Sequence, residues 1–302
     1  MYFYLEWLQK KPSSITLTNE RPKDITYESS FKIDRSSKEE IIICGNISND
    51  FKNYQFSKDI KYRKNQYLSS HLQKSIRRMD SFKSIQTAKH FIDLDINSFL
   101  RRLPIIMLED VCIHESFTII TWLMIAVSKK YEIKNEMIQW LLGIIYYLST
   151  EIKKENYSNE PIQELSLNDN DELLFKTLHF RKKYGGMKCD MNMIEYYKHR
   201  LNKKDQDKLI IKNDKIKLIK LTIDDLEKKD WIYQANDFHC NRYIIKQIQS
   251  YYPEYTTEEL KTLIWENSSS FNKRIKNKKE KNKDWEKIKK RMKYIQRNCE
   301  FY

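Results

Sequence analysis

Glu109 and Asp110, side by side just before Val111, form the one acidic doublet whose setting suggests phosphoryl-transfer chemistry. Asp80, Asp93 and Asp95 lie upstream in the same stretch, and a two-metal nuclease needs carboxylates converging on ions about 4 Å apart. Arg77, Arg101 and Arg102 would then hold the phosphate, with Lys74 as the outermost positive contact; with Arg78 these are also the candidate nucleic-acid contacts of this stretch. The same residues also satisfy one another. Glu109 and Asp110 can pair with the four arginines as a structural network, and no histidine or tyrosine is evidently placed for acid or base work. We adopt the ion-pair reading. If the network is buried, removing one partner costs more than the pair contributes, because a charge is left unmatched.

A second cluster, Asp237, His239 and Cys240 in NDFHC, has metal-ligand chemistry, with Cys189 and His199 as distant partners. Adjacent His239 and Cys240 reach one ion only in an unusual local geometry, so a packed His and Cys at a helix start is the simpler reading. Four glycines (Gly45, Gly143, Gly185, Gly186) cannot build a Walker A loop. G-x-S-x-G, H-E-x-x-H and paired C-x-x-C patterns do not occur. The sequence thus predicts no catalytic residue, metal or cofactor.

The strongest binding signal is the tail. Residues 273 to 297 hold thirteen Lys and Arg, including Lys273, Arg274, Lys278, Lys279, Lys287, Lys290, Arg291 and Lys293, against Glu280, Asp284 and Glu286. The whole chain has a net charge of only +14. Trp285, Ile288, Met292 and Ile295 fall at helical spacing, which predicts a basic amphipathic helix. Such a helix brings cations to backbone phosphates without reading sequence, and Tyr294 or Trp285 could stack on bases. Coding bias in an A+T-rich genome, which favours Lys, Asn, Ile and Tyr, accounts for part of this basicity.

These groups need elements to hold them. Leu68, Leu72, Ile76 and Met79 define one face of a first helix. Asp80 or Ser81 caps a second, with Phe82, Ile85, Ala88 and Ile92 inward. Asn97 caps a third, with Leu100, Leu103, Ile106 and Met107 inward and Pro104 either kinking it or shifting its start. Residues 116 to 128 and 136 to 152 read as helices apolar nearly all round, with Trp122 and Trp140 as core anchors. Helices follow over 171 to 184 and after a cap at Asp190, broken by Gly185-Gly186. Residues 208 to 223 read as a β-hairpin around Asn213-Asp214. Ile244, Ile245 and Ile248 mark another helix. Thr256 and Glu259 then form a capping box, with Tyr255 stapled onto Leu260 and Leu263, Ile264 and Trp265 buried. Near the start, SITLT, ITYESSFKI and EEIIICG read as strands, Tyr2 to Leu8 as a short helix or apolar arm, and 46 to 63 as a polar linker.

The run HLQKSIRRMDSFKSIQTAKHFI followed by FLRRLPIIMLEDV resembles the carboxy-terminal helical part of clamp-loader-like AAA+ ATPases of the replication-associated recombination type. The matching residues are Leu72, Lys74, Ser75, Ile76 and Arg77, then Ala88, then Arg101, Arg102 and Leu103, and finally Glu109 and Asp110. The match covers about 45 residues and departs at Met79, Asp80 and Pro104. The 66 residues before it hold no P-loop. The resemblance therefore implies a helical oligomerisation or scaffold module working near DNA, and not ATP hydrolysis.

The expected fold is mainly α: a multi-helix, bundle-like core with an extended or β-like N-terminal segment and a small β-hairpin insertion. The expected divisions are 1–66, 67–205, 206–270 and the tail 271–302. Five scattered cysteines point to a reducing intracellular compartment, nuclear, cytoplasmic or a viral factory. No leader or apolar run of spanning length predicts a membrane segment. The expected function is non-enzymatic binding of nucleic acid, DNA more than RNA, in replication, repair or transcription of an A+T-rich viral or plasmid-like genome. The partners expected besides nucleic acid are other proteins or further copies of the chain. The alternatives are an assembly subunit docking its tail on an acidic protein partner, and a metal-dependent nuclease.

Overall fold

The computed structural model describes residues 1–32, 40–58, 64–157, 163–167, 172–202, 210, 216–221, 242–275 and 283–298. The chain opens as a strand. In β1 (Tyr2–Trp7) burial alternates, with Phe3, Leu5 and Trp7 fully buried and their neighbours outward, the period-two pattern of one covered sheet face. The expected helix or arm is thus a strand. β2 (Ser14–Thr18), β3 (Tyr27–Lys32) and β4 (Glu40–Ile47) complete a sheet of order β2-β1-β4-β3, whose central pair, β1 and β4, is parallel.

The sheet is fastened to the helices by Trp122 of α3 (Phe117–Ser128). Its Nε1–H donates to Phe3 O and Cys44 O, each at 3.1 Å. Gly45 makes room for that ring: a Cβ there would lie 3.1 Å from the indole and 2.8 Å from Leu5 O. Trp7 meets Trp140 of α4 (Asn135–Thr150) edge-on at 5.5 Å, so both tryptophans are core anchors.

α1 (Asn65–Arg77) and α2 (Ser81–Asp110) carry the groups of the candidate site. Met79 lies beyond α1 with a left-handed φ of 56°, off the predicted face. Asp80 does cap α2, accepting from Lys83 N at 3.1 Å. Ile85, Ala88 and Ile92 are buried, but Phe82 is 54% exposed in the first turn, where no described element covers it. α2 is interrupted at Asp95 (φ −161°, ψ 90°), not at Pro104. Asp95 recaps the helix on Ser98 N at 3.0 Å, so the cap is Asp95 rather than the exposed Asn97. Leu100, Leu103, Ile106 and Met107 all face inward.

α5 (Leu173–Lys183) and α6 (Lys188–Asn202) close the body, α6 starting two residues before Asp190. Residues 216 to 221 run across α4 without strand pairing: Ile219 N donates to Gln139 O at 3.1 Å. Gly143 permits this crossing, since a Cβ there would sit 2.1 Å from Lys217 O. The predicted hairpin turn at Asn213-Asp214 lies outside the described residues. One apolar core runs from Phe3 to Ile216 through sheet and helices alike.

A second core is built by α7 (Arg242–Tyr251), α8 (Thr257–Ile264) and α9 (Lys283–Asn298). The Thr256/Glu259 capping box is present, but Trp265, in the π turn Trp265–Ser269, is 48% exposed. Trp285, Ile288, Met292 and Ile295 are buried against Ile244, Ile245, Ile248, Leu260 and Ile264. The tail helix is therefore an internal member of a three-helix unit.

Candidate nucleic-acid interface

Glu109 and Asp110 lie at the C-terminal end of α2, against α1. Arg77 Nε meets Asp110 Oδ1 at 2.6 Å, and Arg77 Nη2 meets Glu109 Oε1 at 3.0 Å. Arg102, two turns earlier on the same helix, sits 3.7 Å from Glu109 Oε2 and 3.2 Å from Asp190 Oδ2. Gln73 Nε2 donates to Glu109 at 2.6 Å, and Lys154 Nζ to Glu109 O at 2.6 Å. Burial, with Asp110 adjacent, pushes the Glu109 carboxyl up despite Arg77. This is a closed network whose charges face each other.

The other carboxylates of the nuclease reading are occupied apart from it. Asp80 caps α2 and pairs with Lys83 at 3.3 Å. Asp93 accepts from Tyr54 Oη at 2.6 Å and from Lys89. Asp95 holds Ser98 and, at 2.7 Å, Asn65 Nδ2 of α1. Among the described residues no three His, Cys, Asp or Glu side chains are grouped to hold a metal ion. Cys189 is exposed beside Asp190, and His199 bonds Gln163 O at 2.7 Å. Asp237, His239 and Cys240 lie outside the described residues.

Several cations proposed for phosphate are turned inward. Lys74 is 3% exposed, its ammonium on Ser70 Oγ at 2.8 Å, so it is not an outer contact. Arg77 is 8% exposed and also donates to Ser269 O, while Arg78 donates to Ser268 O at 3.2 Å. Arg274 donates to Glu151 O at 2.7 Å, to Ile76 O at 2.8 Å and to Leu148 O. It thereby serves carbonyls at the C-terminal ends of α1 and α4, where a helix runs out of its own donors. With Asn272 Nδ2 on Asp110 O at 3.0 Å, these bonds clamp the segment leading to α9 onto the body. Arg101 is exposed and donates to Tyr184 O at 2.9 Å.

What remains outward is the solvent face of α9. Burial of its apolar stripe leaves Lys287, Lys290, Lys293 and Tyr294 exposed. Lys287 pairs with Glu254 at 2.7 Å and lies 5.0 Å over the Tyr252 ring. Arg291 is stacked between rings, its guanidinium carbon 3.2 Å from the Tyr251 centroid and 4.7 Å from that of Tyr294. Among the described residues Lys290, Arg291 and Lys293 have no carboxylate partner. Lys273 is exposed as well; Lys278 and Lys279 lie outside the described residues.

A site the sequence did not flag is a cavity of about 570 Å³ between β2, α3, α4 and α5, lined by Ile15, His114, Thr118, Trp140, Leu174 and Ile216 among others. His114 is fully buried and accepts Ser116 N at Nδ1 at 3.0 Å, which puts its proton on Nε2, where it has no partner. Burial lowers its pKa to about 4, so it is neutral. A lone histidine between Ile113 and Glu115 gave no sequence signal.

No helix among the described residues is long and apolar enough to cross a membrane. No protein-family model, no curated protein and no solved structure matches the chain.

Proposed function

We propose that this protein binds nucleic acid without acting on it chemically, and that the solvent face of α9 is the contact surface. One observation carries the reading: Lys290, Arg291 and Lys293 are cations without a carboxylate partner among the described residues, on a helix whose opposite face is already buried. Cations of that kind exchange condensed counterions for phosphate contacts, an affinity that falls with salt and ignores sequence. A helical module working near DNA is also what the resemblance of residues 71 to 111 implies.

The test is affinity for single- and double-stranded DNA and RNA over a salt series. Lys290→Ala with Lys293→Ala should lower the log–log salt slope by roughly 1.4 to 1.8, at about 0.7–0.9 for each phosphate no longer neutralised. Absence of binding at low salt, or tight binding indifferent to salt, would reject the proposal. An acidic protein partner is the second reading. The apolar stripe that favoured it is covered by α7 and α8, so charge alone now supports it. Light scattering before and after nuclease treatment separates the two: mass that stays assembled without nucleic acid favours the protein partner.

A further inference from the structure

We infer that Tyr251, Arg291 and Tyr294 form a stacking platform for unpaired bases, so that the ligand of α9 is single-stranded nucleic acid. The inference rests on the nucleic-acid reading above and narrows its substrate class. Tyr251 and Tyr294 are 55% and 56% exposed, although they come from two different helices and bracket one guanidinium. Neither ring is needed to fill the three-helix core, which is closed by Trp285, Ile288, Met292 and Ile295 on the other side of α9. Arg291 Nε is buried and has no hydrogen-bond partner, so ring faces rather than a carboxylate fix this cation. Cation–π contact explains where Arg291 sits. It does not explain why both tyrosines remain half open to solvent.

Charge on the unit is polarised along α9. The acidic groups gather near its start, where Asp284 accepts from Tyr255 Oη at 2.7 Å and Glu254 neutralises Lys287. Lys283 is a single cation without a carboxylate partner at that start, whereas three, Lys290, Arg291 and Lys293, follow one another further on, next to Tyr294 in the chain, with Arg291 in the tyrosine stack. A backbone crossing there would place phosphates on Lys290 and Lys293 and bring bases beside the rings. In a duplex each base face is already covered by its neighbours, so the rings would have nothing to stack on. In a single strand every base offers a π face, whatever the sequence.

The experiment measures anisotropy of three labelled probes with the full chain: oligo(dT) of about 20 nucleotides, long enough for one binding site, an abasic strand of equal length, and the matching duplex. Oligo(dT) should bind tightest. Tyr294→Ala should weaken oligo(dT) binding by about 10-fold and leave abasic and duplex affinities unchanged, since it removes stacking and spares the phosphate contacts. Tyr294→Phe, which keeps the ring, should bind like the parent. Unchanged thermal melting of both variants confirms the fold. If Tyr294→Ala and Tyr251→Ala both leave oligo(dT) affinity intact, or if the duplex binds best, the platform is refuted while the nucleic-acid reading stands. If none of the probes binds at low salt, the reading beneath it fails as well.

Discussion

Replacing Arg274 separates an internal cap from a phosphate contact. By charge pattern it belongs to the basic tail, yet its guanidinium donates to Glu151 O, Ile76 O and Leu148 O, and burial lowers its pKa. Hydrogen bonds from a charged group contribute about 1.5 kcal/mol or more each. Three such bonds at the low end give about 4–5 kcal/mol, and partial rehydration of carbonyls at helix ends reduces it to about 3 kcal/mol. At roughly 2–4 °C per kcal/mol for a chain of this size, Arg274→Ala should melt about 6–12 °C lower. Arg274→Lys, which offers one compact ammonium in place of a fork, should fall between. The assay pairs thermal unfolding with nucleic-acid affinity, measured well below both melting points. Affinity should hold in Arg274→Ala, whereas Lys290→Ala should weaken binding and melt like the parent. A variant at Arg274 that melts within about 1 °C of the parent and binds several-fold more weakly would refute the capping argument.

Two further outcomes follow from buried titratable groups. His114 and His179 are both held neutral with pKa near 4 by burial, His179 also facing Lys198 Nζ at 3.4 Å. A histidine depressed in the folded state adds stability that is complete above the unfolded pKa of about 6.5 and is lost as pH falls toward 4. At ~1.4 kcal/mol per pK unit the loss approaches about 3 kcal/mol for His114, and His114→Gln should flatten the fall in melting temperature over that window. A melting temperature constant from pH 7 to pH 4.5 would contradict this. For the thiols, burial raises Cys44 to about 11 and Cys112 to about 12, while Cys189 is exposed. A Cys240→Ser/Cys299→Ser background should show one fast-reacting thiol with a charged disulfide reagent, abolished by Cys189→Ser; fast reaction at Cys44 or Cys112 would contradict their burial.

Much of the helical skeleton is legible in the sequence because burial there repeats at 3.6 residues, as in Leu68, Leu72 and Ile76. The Thr256/Glu259 box needs only local spacing. The errors arise where a distant neighbour decides. Asp95 and Asn97 are equally good caps by type, and Asp95 also holds Asn65 of α1. Phe82 and Trp265 continue apolar faces beyond the point where another described element covers them. Phe3, Leu5 and Trp7 alternate as a strand, but six residues also suit a short helix, and pairing with β2 and β4 settles it. His114 carries no pattern at all.

Charge is where pattern misleads most. Thirteen Lys and Arg between 273 and 297 suggest up to thirteen phosphate contacts. Yet a cation that caps a carbonyl and one that meets a phosphate are the same letter. Arg274 bonds Ile76, 198 positions away, and Lys287 is already neutralised by Glu254. Of the described cations in that stretch, Lys283, Lys290, Arg291 and Lys293 combine partial or full exposure on α9 with the absence of a carboxylate partner, and Lys283 stands apart at the acidic start of the helix beside Asp284 and Glu286. Three phosphates at roughly 0.7–0.9 each set a salt slope near −2 to −3, where thirteen would approach −10. A shallow slope with tight single-strand affinity therefore requires a second energy source, and the half-exposed rings of Tyr251 and Tyr294 are the groups on that face able to supply it.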